Sequence, residues 1–335
     1  MGKLICLGIE SSAHTFGIGI VDSDGKILAN ERSIYRPSVG SGIVPTDAAL
    51  FHEKNTDVVL EDALTKSGLK MESIDLISYT AGAGLPPSLL VGSNFAHELA
   101  KKFKKTLVPV CHQIAHLEIG NLTTVVNDPI FVYLSGGNTQ IIAFVEDRYR
   151  VFGETEDIPV GNCLDVVARE MGLQMPGGPE IEKLARNGKY IELPYVVKGM
   201  DTSYSGIATA AVRLVRDGLP KEDIAYSLQE TCFAMLAEVT ERALAHMDKK
   251  EVLLVGGVAA NKRLQEMMKK MCEERKASFF VVPEEYSGDQ GAMIAWAGLL
   301  AHQNGWKNDS KDDIRPRWRI DEVKWFNIAP PRKTL

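Results

Sequence analysis

The sequence lacks a Cys-x-x-Cys pair, an apolar run long enough to span a bilayer, a P-loop, a Rossmann glycine fingerprint and any excess of positive charge. Each absence removes a class. The five cysteines (Cys6, Cys111, Cys163, Cys232 and Cys272) are odd in number and scattered, the usage of reduced thiols in a cytoplasmic protein rather than of a disulfide framework. The charge-free stretch from Leu76 to Ala96 is broken by Pro86, Pro87 and three glycines, so it reads as loop and element rather than membrane span. The opening run Leu4–Ile9 is too short for a signal peptide. With 38 Lys+Arg against 44 Asp+Glu, the net charge of −6 argues against a large autonomous basic surface for nucleic acid. Low-complexity linkers are missing too.

What is present fills an ordinary globular composition, 45% hydrophobic and 24% charged. At 335 residues the chain has room for about two domains of ~150 residues, with cores that need no metal or disulfide to fold. Short β-rich runs alternate with helical ones, the pattern of an α/β protein. Leu4–Ile9, a small turn from Glu10 to Thr15, and Phe16–Val21 read as strand, turn, strand. Ile130–Leu134, Ser135-Gly136-Gly137-Asn138-Thr139 and Gln140–Val145 repeat that unit, with Thr15 falling on Thr139 and Ser11 on Ser135. The repeat predicts two related domains, 1–125 and 126–325, and a tail at 326–335. Helices are predicted from Thr46 towards Gly68, from Ser93 to Lys105 and over Pro220–Lys250. The strand at Val252–Val255 ends in a double glycine and leads into a helix containing Asn261. Beyond Gly305 the charged, proline-bearing segment reads as a surface tail.

The two strand-turn-strand turns are rich in Ser, Thr, Gly and Asn, which expose N–H groups and hydroxyls able to cradle a phosphate. An ordinary hairpin would account for either turn alone. Together with Val255-Gly256-Gly257-Val258 and Asn261, which could meet a base edge, they resemble the three nucleotide-contacting segments of the actin, Hsp70 and sugar-kinase superfamily. In His112-Gln113-Ile114-Ala115-His116 the histidines, at i and i+4, share a helix face and can reach one metal ion; a buried pair bonded to carbonyls is the plainer reading. Zinc proteases place a glutamate after the first histidine, whereas Gln113 cannot accept a proton, which argues against proteolysis. Asp289, at a glycine-flanked turn, and Tyr133, closing a strand, are candidate further ligands.

In order along the chain, Ala13-His14-Thr15, the His112/His116 pair, Tyr133–Thr139, Gly177–Glu182, Lys198–Asp201, Leu228–Glu230, Val255–Asn261 and Gly291–Ala295 resemble the TsaD-type tRNA threonylcarbamoyladenosine synthases in their archaeal and eukaryotic form. The resemblance extends from Gly8 to about Val323. It implies a duplicated actin-like, ribonuclease H-like ATPase fold and one divalent metal per chain, iron or else zinc, on His112, His116, Tyr133 and Asp289. It also implies phosphate contacts from Tyr133, Leu134, Ser135, Gly136 and Gly137, with Asp165, Gly178, Glu182 and Asn261 on ribose and adenine. The implied reaction moves the threonylcarbamoyl group of threonylcarbamoyl-adenylate to N6 of the adenosine 3′ of the anticodon in tRNAs reading ANN codons, releasing AMP. The nucleotide (the adenylate, or ATP and AMP analogues) would be accompanied by magnesium. The implied partners are tRNA and the small kinase-like ATPase and small dimerising subunits of the KEOPS complex, in the cytoplasm, with no membrane. The rival readings are an ATP-dependent small-molecule kinase and a nucleotide-binding scaffold of the same fold. The chain departs from the family pattern at Val44–Asp47, at Ala83–Leu90, where an arginine is usual near Leu90, at Cys111 and at Gln290.

Overall fold

A computed structural model describes residues 2–38, 42–306 and 314–323. The opening apolar run forms β1 (Ile5–Glu10), which pairs antiparallel with β2 (Thr15–Asp22), itself antiparallel to β3 (Ile27–Ile34). After α1 (Pro45–Ser67), closed by Gly68 at φ 67°, come β4 (Leu76–Gly82), α2 (Pro86–Phe103), β5 (Thr106–Cys111) and α3 (His112–Thr123). The sheet order is β3-β2-β1-β4-β5, with β1, β4 and β5 parallel. Helix α2 starts at Pro86, two turns before the expected Ser93. The two prolines occupy its first positions, where a missing N–H costs no helical bond, so they begin the helix rather than break it.

The second half repeats this plan. Strands β6 (Ile130–Leu134), β7 (Thr139–Val145) and β8 (Arg148–Glu154) form the meander. Helices α4 (Val160–Glu170) and α5 (Gly178–Ala185) follow, then the short ribbon β9 (Val197–Lys198) and β10 (Asp201–Thr202), and helices α6 (Ser205–Arg216) and α7 (Lys221–Met247). Next come β11 (Glu251–Val255), α8 (Lys262–Glu274), β12 (Ser278–Val281) and α9 (Gly291–Gln303). The order β12-β11-β6-β7-β8, with β6, β11 and β12 parallel, matches the first sheet strand for strand. Thr15 and Thr139 each open the second strand of their hairpin, as the internal repeat predicts.

The two halves are sewn together by exchanged helices. α9 follows the second sheet but packs on β1, β2 and β4 of the first, while α3 follows the first sheet and reaches β11 and β6 of the second. α3 and α9 pack against each other as the middle layer, with α1 and α2 outside one sheet and α7 and α8 outside the other. Gly291–Ala301 is buried on every side, as an all-apolar helix must be. Its close seating needs glycine: a Cβ on Gly19 would lie 2.1 Å from the Ala292 nitrogen, and one on Gly291 would lie 2.0 Å from the Gly19 nitrogen. Asn30 of β3 pins the same corner, donating to Gln290 Oε1 (2.6 Å) and accepting from the Ala292 N–H (3.2 Å).

Three sequence expectations are corrected. The first hairpin turn is covered rather than open: Ser11 and Ser12 are buried, because Gly92 lets α2 close to where a Cβ would be 2.1 Å from Ser11 Oγ. Asn261 precedes α8 as its N-cap rather than lying inside it, accepting from the Leu264 N–H at 3.1 Å. Residues 314–323 do not form a surface tail. Trp318, Ile320 and Val323 are buried against the first core, and the Gly84 N–H donates to the Pro316 carbonyl at 3.1 Å, so three apolar side chains anchor an otherwise polar segment. The tail expected at 326–335 lies outside the described residues. All five cysteines are buried and unpaired, and no described helix is long and apolar enough to cross a membrane.

Because α9 touches the β1–β2 hairpin backbone to backbone, Gly19→Ala is expected to cost about 1–3 kcal/mol of stability in denaturant titration. A change below ~0.5 kcal/mol would show that this seating is not tight.

Candidate metal and nucleotide site at the strand ends

In both sheets the parallel strands point their carboxyl ends into one crevice, where open α/β sheets present their functional groups. Glu10 ends β1, His112 begins α3 directly after β5, Tyr133 and Leu134 end β6, Gly256 follows β11, and Asp289 precedes α9. Five chain segments therefore meet.

His112 and His116 meet edge to face on α3 with ring centroids 4.7 Å apart. Asp289 Oδ1 lies 3.2 Å from His116 Nε2 and 3.5 Å from His112 Nε2. The three ligand atoms sit within 4.8 Å of one another, and both histidines are buried. Tyr133 packs beside them, its ring 5.2 Å from that of His116, and its hydroxyl accepts from Asn138 Nδ2 at 3.4 Å. Two imidazole nitrogens and a carboxylate, with a phenol alongside, are a donor set suited to zinc or iron(II). The nitrogen His116 Nδ1 is buried without a hydrogen-bond partner among the described residues. The residues present fit a divalent transition metal.

The electrostatics of the metal-free cluster are set by two carboxylates around one ring. Burial alone would lower His112, but the adjacent Glu10 carboxylate, its hydrogen bond at 3.0 Å and Asp289 outweigh it and raise the ring to about 9. Burial keeps His116 below its ordinary value despite the Asp289 bond. Burial opposes ionisation of Asp289 and Glu10, yet the histidines bring both below the usual carboxylate range. Burial and the Asp289 charge push the Tyr133 phenol up, so it stays protonated at neutral pH.

Next to this cluster lies the second hairpin turn, and here the duplication is asymmetric. Gly136 and Gly137 are exposed, with nothing within 4 Å of where a Cβ would sit. Ser135 Oγ accepts from the N–H groups of Gly137 (3.2 Å) and Asn138 (3.0 Å), while the Ser135 N–H donates to the Asn138 carbonyl (2.8 Å). The serine oxygen thus gathers two of the turn's N–H groups rather than leaving a row of free ones. Around the turn the backbone is crowded: a Cβ on Gly161 would lie 2.5 Å from the Ser135 carbonyl oxygen, and one on Gly256, at φ +90°, 2.3 Å from that of Leu134.

Of the remaining four predicted residues, three make hydrogen bonds through their side chains. Asp165 Oδ1 accepts from the Gly177 N–H (2.7 Å) beside Gly178, Glu182 Oε1 accepts from the Lys262 N–H (2.9 Å), and Asn261 Nδ2 donates to Gln229 Oε1 (2.7 Å). Burial raises Asp165, against the Gly177 bond and the Arg169 charge.

Two participants were not assigned to the site from sequence. Glu10 is a fully buried carboxylate on His112, and only the pairing of β1 beside β4 and β5 brings it there. Gln113 donates to Asn138 Oδ1 at 2.8 Å, tying the histidine helix to the open turn. Its place between the two histidines was visible in sequence, its partner was not.

Residues 26–296 match the family model described as TsaD, tRNA N6-adenosine threonylcarbamoyltransferase. The chain is 52% identical over 326 residues to the tRNA N6-adenosine threonylcarbamoyltransferase of Thermofilum pendens, covering 96% of this chain and 97% of that one. It is also 52% identical over 334 residues to a probable bifunctional tRNA threonylcarbamoyladenosine biosynthesis protein of Methanocaldococcus jannaschii, of whose length the match spans 62%. Among solved structures, HypF of T. kodakarensis superposes with a TM-score of 0.61 at 17% identity, over 90% of this chain and 48% of that one. The activator of 2-hydroxyisocaproyl-CoA dehydratase from Clostridium difficile, with bound ADPNP, gives 0.55 at 14% identity, over 92% and 99%. These structural likenesses carry the fold, that of the actin-like ATPases.

An ion seated on both Nε2 atoms must displace the proton that keeps His112 charged below about 9. Its affinity, followed by competition with a chromophoric chelator, is expected to fall about tenfold for each pH unit below that value and to level off above it. Affinity independent of pH across this range would contradict the proton's position.

Proposed function

Because the chain belongs to the tRNA N6-adenosine threonylcarbamoyltransferase family, we propose that the His112–His116–Asp289 cluster and the open Ser135–Asn138 turn form the centre of its threonylcarbamoyl transfer. The chain is an enzyme of tRNA modification, building threonylcarbamoyladenosine by acyl transfer to adenosine N6. The observation that carries the site is the convergence of two buried imidazoles and a carboxylate, from opposite halves of the chain, beside an exposed turn already arranged around an oxygen acceptor.

The exocyclic amine of adenine is a weak nucleophile because its lone pair is delocalised into the ring, so the acyl donor must be activated and held. In our reading His112, His116, Asp289 and Tyr133 hold one metal per chain, iron in preference to zinc. When bound it supplies Lewis acidity towards the donor's oxygens. Tyr133, Leu134, Ser135, Gly136 and Gly137 take the phosphate of threonylcarbamoyl-adenylate, with magnesium near it. The Ser135 hydroxyl yields its two N–H donors to a phosphate oxygen, which offers a preorganised seat for the departing AMP. Asp165, Gly178, Glu182 and Asn261 hold ribose and adenine, the Asn261 amide having a second hydrogen beyond its bond to Gln229. The acceptor adenosine, 3′ of the anticodon, lies in a single-stranded loop and is unstacked at lower cost than a duplex base.

The net charge of −6 supports a division of labour in which partners supply much of the tRNA affinity. The small kinase-like ATPase and dimerising subunits of a KEOPS complex are the partners we assign, in the cytoplasm. Relatives named as bifunctional carry chain beyond the length matched here, in keeping with fused companions. We read the chain as two related domains, 1–125 and 126–325; the matching sheet orders support this, and the α3–α9 exchange is where the two are joined.

The test is transfer from synthetic threonylcarbamoyl-adenylate to unmodified tRNA, followed as modified nucleoside by mass spectrometry with partners present. His112→Ala and Asp289→Ala are each expected to lower the rate about 100-fold or more while AMP binding is retained. Wild-type rates in both variants would overturn the assignment.

A further inference from the structure

Glu10 is the last residue of β1 and is completely buried, a costly place for a carboxylate unless every oxygen is used. Oε1 accepts from the Ser12 N–H at 2.6 Å. Oε2 accepts from Thr80 Oγ1 of the neighbouring β4 at 2.7 Å and faces His112 Nδ1 at 3.0 Å. An ionised carboxylate only accepts hydrogen bonds, so His112 Nδ1 must donate. The neutral ring then carries its proton on Nδ1 and its lone pair on Nε2, the atom 3.5 Å from Asp289 Oδ1. His116 has no such backing, since its Nδ1 is buried and unpartnered among the described residues while its Nε2 meets the same Asp289 oxygen. The two histidines look alike in sequence, yet only one has a charged group behind it.

We propose that Glu10 is the positioning residue of the metal site, holding His112 in the Nδ1–H tautomer so that Nε2 is presented with Asp289 and His116 Nε2 to the ion. This inference rests on the reading of those three residues as metal ligands. The Ser12 and Thr80 donors fix the carboxylate against the ends of β1 and β4, so it orients the ring rather than following it. In an isosteric Glu10→Gln side chain the amide group meets a donor wherever it points. Turned towards Ser12, it opposes an N–H; turned towards His112, it favours a lone pair on Nδ1 and moves the ring proton to Nε2, blocking the ligand position. Asp289 is a bystander in this respect, facing the other side of the ring.

The experiment is direct binding of cobalt(II), read from its visible absorption and by competition with a chromophoric chelator, with AMP affinity measured on the same samples. Wild type is expected to bind one ion and His112→Ala to bind none. Glu10→Gln is expected to bind about 10–100-fold more weakly, with an altered absorption band and unchanged AMP affinity. Cobalt binding by Glu10→Gln equal to wild type would overturn the role of Glu10 while leaving the metal site standing. Absence of binding by wild type would overturn the site reading and this inference with it. A readout on the unaltered chain removes dependence on the variant's folding. In the zinc-loaded protein, histidine side-chain 15N spectra are expected to show His112 protonated on Nδ1, and protonation on Nε2 would refute the proposal.

Discussion

The structure depends on how closely α9 lies on the first hairpin. Glycines at 8, 19 and 291 remove the side chains that would hold helix and strands apart, and the backbone of α9 comes to rest against β1 and β2. That contact fixes where the helix begins, and Asp289 stands two residues before it. Arg32 and Asn30 of β3 hold the same corner through the Asp289 carbonyl and the Gln290 amide. Since α3 packs on α9, the histidines carried by α3 face the carboxylate that precedes α9. A packing constraint in the core therefore determines a distance in the site. Gene duplication alone would give two hairpins and two sheets; the exchanged helices make one cleft of them.

The halves share a topology and divide the chemistry. In the first, the turn after β1 is closed beneath α2, and Glu10 at its edge is turned inward to His112. In the second, the turn after β6 is open, with its N–H groups gathered on a serine oxygen. Gln113 and Asn138 connect the two: Gln113 Nε2 donates to Asn138 Oδ1, and Asn138 Nδ2 donates to the Tyr133 hydroxyl. A histidine cluster would be idle in a sugar kinase of this fold, and the family to which the chain belongs is one of tRNA threonylcarbamoyltransferases rather than of small-molecule kinases.

Much of this was legible in the sequence. The internal repeat and the i, i+4 histidines are local patterns, and local patterns can be read from the sequence alone. The fold class followed from them and from the family resemblance. What was not legible depends on long-range contact. Glu10 reads as the polar edge of a turn until β4 and β5 line up beside β1. Pro86 and Pro87 read as breakers because a helix start and a helix end use the same residue. Trp318, Ile320 and Val323 were hidden in a charged segment because three side chains leave little periodicity. The closure of the first turn depends on Gly92, far from it in sequence.

The most direct measurement is anomalous diffraction at the metal edge from crystals of the chain loaded with one equivalent of zinc. The account predicts a single strong peak within bonding distance of His112 Nε2, His116 Nε2 and Asp289 Oδ1. A principal peak away from these three atoms would contradict it.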